Sequence, residues 1–406
     1  MMEIFSGKRI VLGVSGSIAA YKAVFLASRL TQAGAKVDVL LSKAAAEFVG
    51  PISFTSVTGR TTYQDQDLWE VSEHVPHIDL GENNDLFLIA PATANTIAKL
   101  AHGLADNLLS LSALASRTPL YLAPAMDGGM YAHPATQENL RLLRERGAVI
   151  LGPSQGHLAS GLKGKGRMVE PEEIFGRIRA ALGREGLLAG KKVVVTAGGT
   201  REAIDPVRYI SNRSSGKQGY ALAQAALDQG AEVTLISAPT ALSSPVGARQ
   251  LDVVSAAEMH DAVLREAGGA DLLIMAAAVA DFQPAQTSMQ KIKKSKADFS
   301  EIPLRPTRDI LKDLAQSRSS SGKGPRVSVG FAAESERIIE NGEKKLQEKA
   351  LDLLVVNDIS REDAGFAVDT NAVTLLWADG RIRELPLLRK SEVAREVILE
   401  TVRLLS

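Results

Sequence analysis

Residues 8–42 read KRIVLGVSGSIAAYKAVFLASRLTQAGAKVDVLLS, and their rhythm decides the fold. An apolar strand gives way to a Gly/Ser turn, a helical stretch follows, and Gly34 and Ala35 lead into a second apolar strand. That is the β-turn-α-β unit of a doubly wound sheet. The unit returns in the second half as KKVVVTAGGT (191–200) and, after an insertion, SSGKQGYALAQAALDQGAEVTLIS (214–237). Each half then carries an Asp-led apolar strand ending in small residues, DLFLIAPATANT (85–96) and DLLIMAAAVADF (271–282). Such ends lie at the carboxyl edge of open parallel sheets, where ligands bind. The sequence therefore predicts an α/β chain of two doubly wound domains. The boundary falls near RAALGREGLLAGKK (179–192), where a helix yields to Gly-rich turns before a fresh strand, giving domains 1–185 and 186–406. NAVTLLWADGRIRELPLL (371–388) has the Asp-Gly turn of a β-hairpin and breaks the pure α/β pattern.

A chain of 406 residues is too long for one ordinary core, and 45% apolar residues exclude a disordered or fibrous class. Lys plus Arg equals Asp plus Glu at 47 each, so no global field draws the protein to nucleic acid or a membrane surface. Anion recognition must be local. The start lacks a cleavable apolar stretch and later apolar runs are too short to span a bilayer, so a cytoplasmic protein is expected. The lack of cysteine excludes disulfides, thiolate metal sites and cysteine nucleophiles. With six histidines and no HExxH cluster, a protein-held zinc is not expected.

Gly13, Ser15, Gly16 and Ser17 lie between strand and helix, where free amides and a hydroxyl suit a phosphate. The second strand ends LLSKAAAEF (40–48), with Ser42 and Lys43 where a dinucleotide fold wants an acid for the ribose diol. That argues against NAD and leaves flavin mononucleotide compatible. HLASGLKGKGRM (157–168) reads as a linker, a phosphate cradle or a mobile flap.

Longer stretches now stand together: GVSGSIAAYK, PHIDLG, APATANTIAKLAHGLADNLL, APAMDGGMY and LASGLKGKGRM in the first half, then TAGGTREAIDPVRYISNRSSGKQG, AAAVADF, KIKK and VGFAAES. In content and order they resemble the bifunctional coenzyme A biosynthesis family, a phosphopantothenoylcysteine decarboxylase fused to a phosphopantothenate–cysteine ligase, over nearly the whole chain. The resemblance implies a flavodoxin-like FMN domain followed by a Rossmann-like ligase domain. It implies homo-oligomers: trimeric flavin domains, dimeric ligase domains and, combined, a dodecamer. The substrates it implies are 4′-phosphopantothenate, cysteine and CTP, with Mg²⁺ arriving on the nucleotide and no metal ligand assigned to the protein.

For the first half it implies FMN contacts at Gly16, Ser17, Ile18, Ser42, Thr93, Ala94 and Asn95. His77 matches the family's active-site histidine. The chemistry needs a proton-handling group and an electron sink, because a cysteine carboxylate has none until the thiol-bearing carbon is oxidised to a thioaldehyde. The flap reading follows, with Lys163, Lys165 and Arg167 meeting the substrate phosphate. Two positions depart from the pattern. Asp127 stands where the family has an asparagine that binds the substrate carboxylate, and Ser160 where it has a proton-donating cysteine. Both changes together suggest an exchange of roles. The substrate carboxylate crowds Asp127, raises its pKa and lets it enter protonated as the donor, while Ser160 holds the flap by hydrogen bonding. The alternatives are an active ligase with an impaired decarboxylase half, or a flavin-binding regulatory subunit.

For the ligase half the resemblance implies an acyl-cytidylate that cysteine attacks, with Lys291 as the lysine that promotes activation and Asn212 as the residue that promotes attack. It implies nucleotide contacts from Met275, Ala276, Ala277, Asp281, Lys291, Arg308, Asp309, Ile310, Leu311, Phe331, Lys345 and Lys349. Arg308 replaces a proline of the family. Lys345 and Lys349, four apart on one helical face, are expected to reach one polyphosphate.

Overall fold

The structure, a computed structural model, describes residues 4–69, 75–293, 301–334, 336–358 and 368–406. Lys294, which ends KIKK, and Ser335, which ends VGFAAES, lie outside the described residues. The chain divides into two compact units, residues 1–179 and 180–406.

In the first unit the strand Arg9–Val14 is apolar after its first residue and buried throughout that run, as a strand covered on both faces must be. It is central in a six-stranded sheet whose order is Thr62–Tyr63, Lys36–Leu41, Arg9–Val14, Leu86–Ala92, Leu120–Pro124, Val149–Ile150. All five pairings are parallel. The helix Ala20–Gln32 buries Ala20, Ala23, Leu26, Ala27 and Leu30, the stripe a 3.6-residue period produces. On one face Phe87, Ile89 and Leu122 of the strands meet Ile97, Leu108 and Leu140 of the helices.

The second unit repeats this order and extends it. Its eight-stranded sheet runs Arg249–Asp252, Glu232–Ser237, Lys192–Ala197, Leu272–Met275, Val327–Glu334, Leu353–Asp358, Val373–Trp377, Ile382–Glu384. The first six strands are parallel. The last two form the hairpin expected from Asp379 and Gly380 and are antiparallel. Alternation along Lys192–Ala197 shows why both faces are covered. Val193, Val195 and Ala197 pack with the helices Lys217–Leu227 and Lys390–Leu405, while Val194 packs with Ala256–Ala267 and Ile310–Ser321. Both doubly wound sheets therefore turn back between their first and fourth strands, and this switch point positions each candidate site.

At the opposite edge of the first sheet Asp38 is a buried carboxylate, its side chain only 1% exposed, held at 2.7 Å by Arg9 Nε and at 2.7 Å by Arg60 Nε. Removing one partner of a buried pair strands the other charges in a poorly solvated place. Asp38→Ala is expected to lower the stability of the first unit by about 3 kcal/mol, read as a shift of the urea unfolding midpoint. A midpoint that stays put would show the cluster to be solvated.

Candidate functional site

The first cavity, about 1180 Å³, opens at the switch point of the first unit. Strand Arg9–Val14 ends there in Ser15, which is buried. Its hydroxyl donates to the Pro91 carbonyl at 2.7 Å and accepts from the Thr93 amide at 3.0 Å. The two diverging strand ends are thereby tied. At Gly16 a Cβ would sit 2.5 Å from the Ala44 Cβ, so the turn packs directly on the short helix Lys43–Ala46, which Ser42 caps. Packing alone explains this glycine. Its consequence is functional: among the described residues, the Gly16, Ser17 and Ile18 amides meet no backbone or side-chain acceptor. Three open amides before a 13-residue helix fit a phosphate. Thr93 caps the helix Ala94–His102, and Asn95 is exposed to the cavity in its first turn. Ile18 and Met130 add exposed apolar wall, suited to a flat ring. The residues present fit FMN.

HLASGLKGKGRM forms an antiparallel hairpin, Ser154–His157 with Lys163–Arg167. Its base is pinned by the Met126 amide donating to the Gly166 carbonyl at 3.0 Å. The backbones come so close that a Cβ at Gly166 would collide with the Met126 carbonyl. Lys22, almost fully buried, ties the following chain to the first helix through Glu170 at 2.9 Å and the Met168 carbonyl at 3.4 Å. The two departures from the family pattern meet here. Ser160 Oγ donates to Asp127 Oδ2 at 2.6 Å, and the Gly129 amide donates to Asp127 Oδ1 at 2.9 Å.

The structure bears on two expectations without the substrate they invoke. The Ser160 hydroxyl first, and the Gly129 amide second, hold the Asp127 carboxyl below its ordinary pKa. Among the described residues two donors and no second carboxylate face it, so the protein alone does not raise it. Lys163 and Lys165 line an adjoining recess with Tyr131 and Gln137, which shares Asp127 and Leu158 with the first cavity, and there Lys165 Nζ lies 5.6 Å from the Tyr131 ring centroid. Only Arg167 of the three cations reaches the flavin cavity, and it is paired with Glu170 at 2.7 Å. His77, in the first turn of Pro76–Glu82, is not on the cavity wall. Its Nδ1 is buried with no hydrogen-bond partner among the described residues.

The second cavity, about 430 Å³, opens at the corresponding point of the second unit. Buried hydroxyls again bridge the strand ends: Thr196 Oγ1 accepts from the Ala277 amide and Thr200 Oγ1 from the Ala280 amide, both at 3.0 Å. Asn212 donates to the Ala278 and Val279 carbonyls. Asp281 and Phe331 line the wall with Met275, Ala276 and Ala277. Arg308 and Leu311 join them there, and Asp309 caps the helix Ile310–Ser321, which opens with Ile310.

Lys345 and Lys349 also face this cavity, but not as open cations. Lys345 pairs with Glu334 at 2.5 Å and Lys349 with Asp309 at 3.4 Å. Lys291 is exposed and off the cavity wall. Its loop is nevertheless fixed: the Ile292 amide donates to Asp205 at 3.2 Å and Arg208 donates to the Ile292 carbonyl at 2.9 Å. The hydrogen bond from Arg208, with backbone amides behind it, holds the buried Asp205 carboxyl well below its usual range.

Sequence reasoning missed several wall residues. Asn357 and Asn371, 8% and 4% exposed, each have an Oδ1 with no partner among the described residues, as does Gln218 at Oε1. Lys390, 6% exposed, reaches the wall from the start of the last helix. Burial first, and Lys217 second, lower its amine pKa. One signal was present, since a lysine in a helix's first turn opposes the helix dipole. Among the described residues no three His, Asp or Glu side chains gather as a metal site, and no helix is long and apolar enough to cross a membrane.

Comparison with known proteins gives matches to both halves. The family model "Flavoprotein" matches residues 3–183, and that of the DNA/pantothenate metabolism flavoprotein C-terminal domain matches residues 188–404. The chain is 44% identical over 400 residues to the "Coenzyme A biosynthesis bifunctional protein CoaBC" of Bacillus subtilis (strain 168), covering 98% of this chain and 97% of that one. It is 44% identical over 402 residues to the protein of that name from Mycobacterium tuberculosis (strain CDC 1551 / Oshkosh), covering 96% and 95%. A crystal structure of the C-terminal domain of a CoaBC protein is similar at 40% identity and a TM-score of 0.45, covering 54% of this chain and 98% of that one.

The buried hydroxyls of both switch points are open to test. Ser15→Ala and Thr200→Val each take the acceptor from an amide, part-buried at Thr93 and buried at Ala280, at a cost of about 1–3 kcal/mol, and should lower the urea midpoint of their own unit. Unchanged midpoints would mean that these amides find another acceptor.

Proposed function

The chain belongs to the family of bifunctional coenzyme A biosynthesis proteins, and from that premise we propose how its two cavities divide the work. The protein joins 4′-phosphopantothenate to cysteine and decarboxylates the product to 4′-phosphopantetheine. We assign the decarboxylase to residues 1–185 and the ligase to residues 186–406. The observation that carries this division is that each switch point has its own cavity, walled by nearly all the residues expected for its half-reaction.

In the first cavity Gly16, Ser17 and Ile18 would hold the FMN phosphate, with Ser42, Thr93, Ala94 and Asn95 along the rest of the cofactor. When bound, FMN supplies the electron sink that a cysteine carboxylate lacks. The protein's own part is to orient the substrate, keep water out under the Ser154–Arg167 hairpin and manage protons. His77 belongs to this reaction from outside the cavity of its own chain. We take it to reach a neighbouring copy in a trimer, since its Nδ1 has no partner among the described residues and Val75 and Ile78 beside it are exposed apolar groups. Co-assembled chains carrying His77→Gln and Asn95→Ala separately should then regain decarboxylation that neither variant shows alone, and failure to regain it would place His77 in its own chain's site.

In the second cavity CTP, with Mg²⁺ on its phosphates, would lie along Met275–Ala277, Asp281 and Phe331. The polyphosphate would meet the N-terminus of Lys217–Leu227 and the amine of Lys390. Its negative charge would also draw Lys345 and Lys349 from Glu334 and Asp309. Asn212 would direct cysteine to the activated carboxylate, and Lys291 would close on the nucleotide from the loop fixed by Asp205.

Supplying phosphopantothenate, cysteine and CTP tests the whole reading by product mass. Pyrophosphate with carbon dioxide supports both activities, whereas pyrophosphate alone supports a ligase with a silent first half. Lys291→Gln should cut pyrophosphate release about 100-fold, the usual loss on removing a donor to developing charge. Lys390→Met should instead raise the KM for CTP about tenfold. An unchanged KM would remove Lys390 from the nucleotide site.

A further inference from the structure

Decarboxylation replaces a carbon–carboxylate bond with a carbon–hydrogen bond, so a proton must reach the carbon that carbon dioxide leaves. We propose that Asp127 and Ser160 form the path for that proton, with Asp127 as the acid and Ser160 as the last oxygen before the substrate. The inference rests on the decarboxylase reading of the first cavity.

Both side chains line that cavity, one from the floor and one from the hairpin above it. Their oxygens are 2.6 Å apart, the length of a hydroxyl bonded to an ionised acceptor. A serine hydroxyl alone is too weak an acid to protonate carbon. Bonded to a carboxylic acid, it need only pass a proton along. The Asp127 O–H bond breaks as a bond forms to Ser160 Oγ. The original Ser160 O–H bond breaks as its proton joins the substrate carbon. In the enethiolate left by carbon dioxide, the sulfur electron pair closes a C=S bond while the C=C pair takes that proton. The resulting thioaldehyde is one hydride short of the thiol, and the pair removed in the first oxidation is what returns. Afterwards Asp127 is a carboxylate and Ser160 donates to it. The hydrogen bond from Ser160 Oγ to Asp127 Oδ2 in the structure fits this discharged state.

Recharging requires Asp127 to bind a proton against the two donors that favour its ionised form. A substrate carboxylate brought beside it supplies the opposing effect, so substrate binding should take up a proton. Among the described residues no other titratable wall group, Tyr21 of the first helix included, is bonded to either oxygen. Lys22 bonds Glu170, Lys99 pairs with Asp106, Asp65 accepts the Leu108 amide and Arg167 pairs with Glu170. Lys43 and Glu47 rise from the short helix after the second strand, and His157 stands at the hairpin's first strand. The sign is checkable on the protein alone. Because Asp127 is depressed in the folded protein, the stabilisation that Ser160 gives its carboxylate is fully present above the ordinary carboxylate range and lost as pH falls through the depressed value.

The test uses the FMN-loaded full chain with Asp127→Asn, Ser160→Ala and the double variant Asp127→Asn with Ser160→Cys. Fed phosphopantothenoylcysteine, the Asp127→Asn enzyme should still release carbon dioxide but lose about 100-fold in saturated thiol, the scale of a general acid. Its product should be the enethiol, lighter by one pair of hydrogens. Ser160→Ala, on an exposed turn, should shift the product the same way, and the double variant should regain the thiol. Calorimetry with an unreactive analogue, serine in place of cysteine, should count more protons taken up by the unmodified protein than by Asp127→Asn. Saturated thiol formed by Asp127→Asn at the unmodified rate, or equal proton uptake by both, overturns the relay. No carbon dioxide from the unmodified enzyme overturns the decarboxylase reading itself and the relay with it.

Discussion

A buried hydroxyl at the end of the first strand is the interaction on which both sites depend. Where a doubly wound sheet turns back, the ladder between first and fourth strands opens, and their last backbone groups lose their partners. Ser15 serves this need in the first unit, bonding Pro91 and Thr93. Thr196 and Thr200 serve it in the second, through Ala277 and Ala280. Because the hydroxyls satisfy these groups from inside, the turns beyond them are held without using their outward-facing amides. Rigidity beneath and open donors above are what an anionic ligand requires.

The same economy explains why the two cavities differ. In the first unit the turn lies against a short helix at Gly16 and Ala44, and the cavity mouth is covered by a separate hairpin. In the second, the extra strands Val373–Trp377 and Ile382–Glu384 carry the sheet further, and side chains from its far end reach back to the wall. Asn357, Asn371 and Lys390 are of this kind. Among the described residues the Asn357 and Asn371 amide oxygens have no partner, which leaves them available to a ligand.

This difference also marks what the sequence discloses. The β-turn-α-β units, the Asp-led strands and the Asp379–Gly380 hairpin are local patterns, and they appear where their periodicity puts them. Gly16, Thr93 and Asn95 follow, because a residue just past a strand is placed by that strand. Asn371 and Lys390 do not, since their nearness to Gln218 depends on the whole sheet closing. The ion pairs of Lys345 and Lys349 were hidden for the same reason: helical spacing predicts a shared face, not the Glu334 and Asp309 carboxylates that occupy it. His77 and Lys291 illustrate a further limit, because a motif names a residue without saying which cavity, or which chain's cavity, it serves.

The contact between Asp127 and Ser160 gives the two departures from the family pattern a common physical meaning. A thiol on the hairpin is both an acid and a nucleophile, and the substrate and product of this half-reaction are themselves thiols. Thiolates exchange with disulfides through mixed intermediates, so a pocket cysteine is open to capture by oxidised forms of its own ligands. A chain with no cysteine at all cannot be trapped in this way. The acidity removed from the hairpin has to be housed elsewhere, and the floor is the better place for a carboxyl. There Asp127 is fixed by the amide of the helix it caps, while the hairpin carries only the hydroxyl that closes over it. In the proposed relay acid strength would lie on the rigid element and access on the covering one, so closure and proton supply would be a single hydrogen bond.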